Sequence, residues 1–431
     1  MSLARITSIA VAALALALAG CKVDTINNFP TKPAPVRFIN FVPDAASLDV
    51  KKDGAVVFAA VPFATATNYQ NFDNKQTEFD IFAPNVPNAI ANASTSLSAN
   101  QSYTLVGFGV VDTGTAEFQP DSFVETTSGN SQFRAMHAAY SAGALDFYLT
   151  KPGVDITNAS PLFQLGFNGS TSFSLVNADS YQIRLIRSNS GLLAYDSGSI
   201  PFADKATDSY YIYVKDGTHA VNVLKLSMAD GSSVVEVPNT LAAAKVVNAA
   251  YQAGAVDQKW DGIVAVNNLM YPAATATYYT LPVGSRIITF ESHAAPGASI
   301  ATTTQTFAAS TDSTILLSGP NGSEVITVLP DHDISPPSGT ARVRVVNASA
   351  DVPAFDLVVD GEVKATNIAY TQASAYFDTS NSNHKVEFRV PGTTTSLLTI
   401  DSQQFGGAQV SSLYLIGPGS ALAKLLTVDN D

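Results

Sequence analysis

A short block that occurs four times constrains this chain more than any other feature. In its fullest form it reads ARVRVVNASADVPAFDLVVDG, residues 341–361. VRFINFVPDAASLDVKKDG at 36–54 aligns with 343–361 without a gap, setting Asn40 on Asn347, Asp44 on Asp351, Asp49 on Asp356 and Asp53-Gly54 on Asp360-Gly361. KVVNAAYQAGAVDQKWDG keeps Asn248, Asp257 and Asp261-Gly262, whereas FRAMHAAYSAGALDFYL keeps His137 and Asp146 but loses the turn. Each Asn or His is followed nine residues later by Asp, and Asn40, His137, Asn248 and Asn347 stand 97, 111 and 99 residues apart. That period is a whole small domain, far longer than the roughly 20–50 residues of a solenoid repeat.

Inside the block, short apolar or alternating runs rich in β-branched residues flank an Asp-Gly pair, the signature of strands joined by a tight hairpin. In the last unit further runs follow at 362–366, 373–378, 385–390, 396–400, 410–416 and 421–428, with turn residues at Asn381-Ser382-Asn383 and Pro391-Gly392-Thr393. Eight short strands without a helical stripe predict an all-β chain of tandem immunoglobulin-like antiparallel β-sandwiches. The expected units are 36–125, 131–237, 241–330 and 341–431, the second carrying an insertion near 151–168. Proline, glycine and serine cluster at 126–130 and 330–339, whereas the junction near Pro238 is tight, so units two and three are expected to touch.

With 46% hydrophobic and 14% charged residues the chain has enough apolar surface to fold. A formal net charge of −13 argues against a nucleic-acid partner, since phosphate contacts need a positive patch. Residues 1–20 carry Arg5 and then an uncharged apolar run from 9 to 19, too short for a bilayer span of ~20 residues but suited to a secretory signal. Leu18-Ala19-Gly20-Cys21 resembles a lipobox, which makes Cys21, the chain's single cysteine, the expected site of diacylglycerol attachment and acylation. Lys22 in place of Asp points to the outer membrane of a diderm cell envelope, and the proline-bearing stretch 21–35 reads as a tether.

RVRVVNASADVPAFDLVVDG, the tyrosine that follows it and VPGTTTSLLT together resemble the bacterial DUF4397 family, a domain of unknown function found in exported and lipid-anchored proteins. Unit four is most similar and unit two, with His137 and no Asp-Gly, departs most. The resemblance implies tandem β-sandwich modules and no particular activity.

The repeated polar positions Asn40, Asp44, Asp49, His137, Asp146, Asn248, Asp257, Asn347, Asp351 and Asp356 support two readings. An Asp within an apolar strand must be hydrogen-bonded or solvated, so one reading has these side chains lock the intervening loop through its backbone amides. The other is Ca²⁺ coordination by Asp44 with Asp49 or Asp351 with Asp356, although two carboxylates fall short of the six to eight oxygens calcium takes. The five histidines are scattered and lack zinc-site spacing, and no nucleophile elbow, phosphate loop or dinucleotide fingerprint is present. Trp260, the single tryptophan, offers with Tyr279 a stacking platform for a sugar, against the plainer expectation that it packs. The repeated aromatics Phe63, Tyr271, Tyr370 and Tyr376 are expected in the sandwich cores or at sandwich corners. The expected role is a non-enzymatic binding or structural array whose ligand is an envelope protein or a glycan. A hydrolase built from Asp146, Asp196 and Asp257 is the alternative enzymatic reading.

Overall fold

A computed structural model describes residues 32–122, 125–215, 220–228, 233–332, 336 and 339–429. Cys21 and the signal-like segment lie outside them. Unit one contains β1 (Ala34–Phe41), β2 (Ser47–Lys52), β3 (Ala55–Pro62), β4 (Gln70–Phe72), β5 (Gln76–Phe82), β6 (Ala91–Ser96), β7 (Tyr103–Phe108) and β8 (Thr115–Pro120). They form two sheets, ordered β4-β1-β7-β8 and β3-β2-β5-β6. Hairpins make most pairs antiparallel, but β1 crosses to lie parallel to β7. The same two orders recur in units three and four, with one additional short strand in unit three, and unit two widens each sheet to five strands.

Period-two alternation explains why these segments pair as they do. The inward positions of each unit fill its own core: Val36, Phe38, Leu48, Phe79 and Leu105 in unit one, Val343, Val345, Phe355, Phe388 and Leu413 in unit four. At the Asp-Gly turns both residues have positive φ, 50° and 79° at Asp53-Gly54 and 50° and 86° at Asp360-Gly361. That conformation matches the twist of the strands it joins and is easiest for glycine.

The outward positions of β1 are not solvated. Ile39 and Phe41 of β1 and Val106 and Phe108 of β7 pack on Met136, Tyr211, Tyr213, Leu224 and Leu226 of unit two. Val247, Ala249 and Leu316 of unit three likewise pack on Val346, Ala348, Tyr414 and Ile416 of unit four. Two sheets, each already covered by its own partner sheet, therefore meet face to face, and the β1-type strands run apolar on both sides as a doubly buried strand must. Each large side chain so buried contributes ~1.5–3 kcal/mol relative to exposure. The junctions at 126–130 and 330–339 thus link units that share a core.

Units two and three also touch, with polar contacts at their junction. The Thr240 amide donates to the Asp196 carbonyl at 2.8 Å and the Thr280 hydroxyl to the Leu193 carbonyl at 2.9 Å. The chain is accordingly two double sandwiches joined in the middle.

Candidate functional site

The repeated Asn sits at the end of the first strand of its unit, wholly buried. Asn347 Nδ2 donates to the carbonyls of Val352 and Ile368 at 2.9 and 3.1 Å, and its Oδ1 accepts the Ser349 amide at 3.2 Å. Asn248 holds Gly254, Leu269 and Ala250 in the same way, and Asn40 holds Val61 and Val42. His137 substitutes with one nitrogen on each side: Nε2 lies 2.7 Å from the Gly143 carbonyl and Nδ1 accepts the Ala139 amide at 3.2 Å. Those partners require the neutral Nε2–H tautomer, and burial pushes the His137 pKa down.

The Asp nine residues on acts outside that loop. Asp49, Asp257 and Asp356 accept the amides of Ala60, Asn268 and Asn367, each at 2.7 Å. Those three residues have φ of 47°, 57° and 52° and sit where the hairpin register slips, so the carboxylate fixes a β-bulge in the neighbouring strand. Asp356 also accepts the Gly392 amide at 2.8 Å, and Asp257 lies 2.8 Å from His293 Nδ1. Asp146 of unit two, with no such bulge, takes Gln164 and Ser188 instead. Asp44 accepts the Val111 amide and Asp351 the Gly419 amide, each tying the first loop of its unit to the loop between its last two strands. Among the described residues no three His, Cys, Asp or Glu side chains converge as a metal-ligating group.

Trp260 is not an exposed platform. Its side chain is 8% exposed, packs edge-to-face on Phe307 at 6.2 Å and belongs to the core of unit three, with Tyr279 against the same core. Counting by twos from Val256 puts residue 260 on the inward face, which overrides the turn beside it. Asp146, Asp196 and Asp257 have separate partners: Asp196 accepts from Gln182 and the Gly198 amide, whereas Asp257 belongs to another unit. Three of the repeated aromatics sit where units meet. Phe63 and Tyr271 pack between units, and the Tyr370 hydroxyl of unit four lies 3.1 Å from Ser318 of unit three.

The most distinctive constellation is one the motif reading missed. Three residues before each repeated Asn or His stands a cation, Arg37, Arg134, Lys245 or Arg344, and all four are buried on the outward face of their strand. Arg344 reaches back into unit three, where Nη2 is 2.5 Å from Asp331 Oδ1 and Nη1 donates to the Pro330 carbonyl at 2.7 Å. Its Nε donates to Ser412 Oγ at 2.7 Å and its guanidinium covers the Tyr376 ring at 5.1 Å. Arg134 repeats every contact one pair earlier, on Asp121 at 2.6 Å, the Pro120 carbonyl, Ser209 and the Phe173 ring.

The reciprocal contacts separate the two pairs. Lys245 of unit three meets Asp429 of unit four at 3.6 Å and lies over the Tyr278 ring, closing a quasi-twofold exchange of charge. Arg37 of unit one lies over Tyr69 and donates to Met228 Sδ at 3.2 Å, because unit two has methionine after Val221–Ser227, the strand that matches β8, where Asp121, Asp331 and Asp429 follow the corresponding strands of the other units. Arg37 must therefore share Asp121, 3.7 Å away, with Arg134. In each pair one carboxylate also accepts a tyrosine and a threonine hydroxyl: Asp121 from Tyr69 and Thr104, Asp331 from Tyr278 and Thr314. Burial pushes the Asp331 carboxyl up, opposed by Arg344 and the two hydroxyls, while burial of Arg344 is outweighed by its acids so that its pKa is raised. With three donors on the carboxylate and a guanidinium that keeps its proton, we take the pair as ionised.

The sequence profile of DUF4397, a domain of unknown function, matches residues 34–148, 242–358 and 341–431. Two of these matches continue past their unit into the first two strands of the next, across the junctions that the buried cations close. No curated protein matches the chain. Matched over well more than half of its length, the chain belongs to the DUF4397 family.

Proposed function

We propose that the protein is a lipid-anchored cell-envelope component in which two double sandwiches act as a non-enzymatic structural and binding array. The observation that carries the reading is the repeated cation cluster. A buried ion pair is a costly way to gain stability, and its clearest use is to fix one arrangement of its partners. Four units locked two by two make a stiff spacer, suited to presenting loops at a distance from a surface. The anchor in this proposal is Cys21, whose place after Leu18-Ala19-Gly20 suits lipid attachment and whose acyl chains would each contribute ~0.8 kcal/mol per buried CH₂. The outer membrane is the proposed address.

The test is fractionation of cells expressing the full chain, with mass spectrometry of the N-terminal peptide. The proposal expects a diacylglyceryl-modified Cys21 in the membrane fraction and release of a Cys21→Ser variant from the mature, membrane-bound pool. An unmodified Cys21, or a variant that stays equally membrane-bound, overturns it.

A further inference from the structure

The two pairs serve as controls for one another, and besides the exchange of Asp429 for Met228 they differ at a groove. Along the junction of units one and two runs a groove of about 360 Å³ bordered by Glu117, Gln119, Arg134, Ser170, Ser172 and Phe173, within the range of ~300–1,000 Å³ typical of ligand clefts. Gln119 is 3% exposed, and neither its Oε1 nor its Nε2 has a hydrogen-bond partner among the described residues. A buried amide with both ends unpaired is costly and calls for a partner that donates and accepts. Burial pushes the neighbouring Glu117 carboxyl up, with no cation pulling it back.

The pair formed by units three and four has the same backbone at this place and no such need. Aligning Pro120-Asp121 with Pro330-Asp331 puts Leu329 where Gln119 stands, and the matching bridges Met136–Ser170 and Val346–Ala373 put Ala373 and Ala375 where Ser170 and Ser172 stand. Leu329 and Ala373 belong to the apolar cluster that seals that junction. The first pair has thus exchanged a sealing leucine and two alanines for an amide and two hydroxyls.

We propose that this groove is a binding site for a neutral, hydroxyl-rich ligand, a saccharide unit or comparable polyol, held by Gln119 and Glu117 with help from Ser170 and Ser172. Hydroxyl groups both donate and accept, which suits the amide, and donate to the carboxylate. Glu117 disfavours an anion. The underlying cluster, two arginines against Asp121, disfavours a cation. The site stands on the geometry of this junction and is independent of the lipid anchor.

The test is isothermal calorimetry on the full-length chain, kept in solution where needed by a non-glycosidic detergent, against maltose, cellobiose, chitobiose, trehalose and sorbitol. A second protein carries Gln119→Leu, Ser170→Ala and Ser172→Ala, residues the sister junction already accommodates, with its fold checked by melting. The expected result is binding of at least one probe by the parent and at least a tenfold loss in the triple variant. Absence of binding by every probe, or binding undiminished in the folded variant, would overturn the assignment.

Discussion

Removing the guanidinium of Arg344 is the sharpest perturbation of the cluster, and its consequence can be read in another unit. Arg344→Met keeps most of the side-chain volume and leaves the Asp331 carboxylate, whose side chain is 0% exposed, with the Tyr278 and Thr314 hydroxyls alone. Breaking a buried ion pair from one side costs about 3–5 kcal/mol because the other charge stays desolvated. With a urea slope near ~3 kcal/mol/M, that lowers an unfolding midpoint by about 1–1.7 M. Trp260 supplies the assay: it is the single tryptophan and lies in the core of unit three, whereas Arg344 belongs to unit four. Its fluorescence should therefore report a lesion made across the junction. Arg344→Met with Asp331→Leu, which removes both charges, should recover most of the loss. A Trp260 midpoint that moves by less than ~0.3 M, or a double variant no better than the single, would refute a pair sealed by these charges.

Three further outcomes follow from the same contacts. Met228→Asp gives unit two the acid that the other units have and should raise the melting temperature of the first pair by adding a second carboxylate for Arg37 and Arg134, which share Asp121, read by calorimetry. Because burial lowers the folded-state pKa of His137, the unfolded chain binds the extra proton, so the stability His137 supports is present above its unfolded pKa of ~6.5 and is lost as pH falls through that value toward the folded one. His137→Asn, the residue at this place in units one, three and four, should flatten that slope in denaturant titrations between pH 7 and 5. Asp356→Ala, which frees the amides of Asn367 and Gly392, should cost about 1.5–3 kcal/mol in urea unfolding, the scale of a hydrogen bond to a charged group.

Much of the fold was legible because it is written locally. Seven of the eight strands of unit four fall where apolar alternation and the Asp360-Gly361 turn place them, the run expected at 373–378 pairing instead over Phe377–Ser380, and the cores follow from parity. What was not legible depends on which sheet face another unit covers. Arg37, Arg134, Lys245 and Arg344 interrupt otherwise apolar strands at the same offset, and Asp121, Asp331 and Asp429 follow the last strands of three units, so the signal was present as a second repeat. Its meaning needed the partners, since Lys245 meets residues of 428–429, far away in the chain. For the same reason the pattern assigns Phe63 and Tyr271 to a core or corner of their own unit, whereas both pack between units. The repeated Asn and Asp stand out because they are polar in an apolar setting, yet their hydrogen bonds go mostly to backbone, with Asp146 and Asp257 also taking side chains, and stay within their own unit.

Differential scanning calorimetry of the full chain tests the two-block architecture most directly. Two transitions are predicted, each carrying the enthalpy of about 180–200 residues, on the order of 130–140 kcal/mol near 60 °C, with Arg344→Met lowering one of them and leaving the other in place. Four transitions of roughly half that enthalpy, each moving independently, would contradict it.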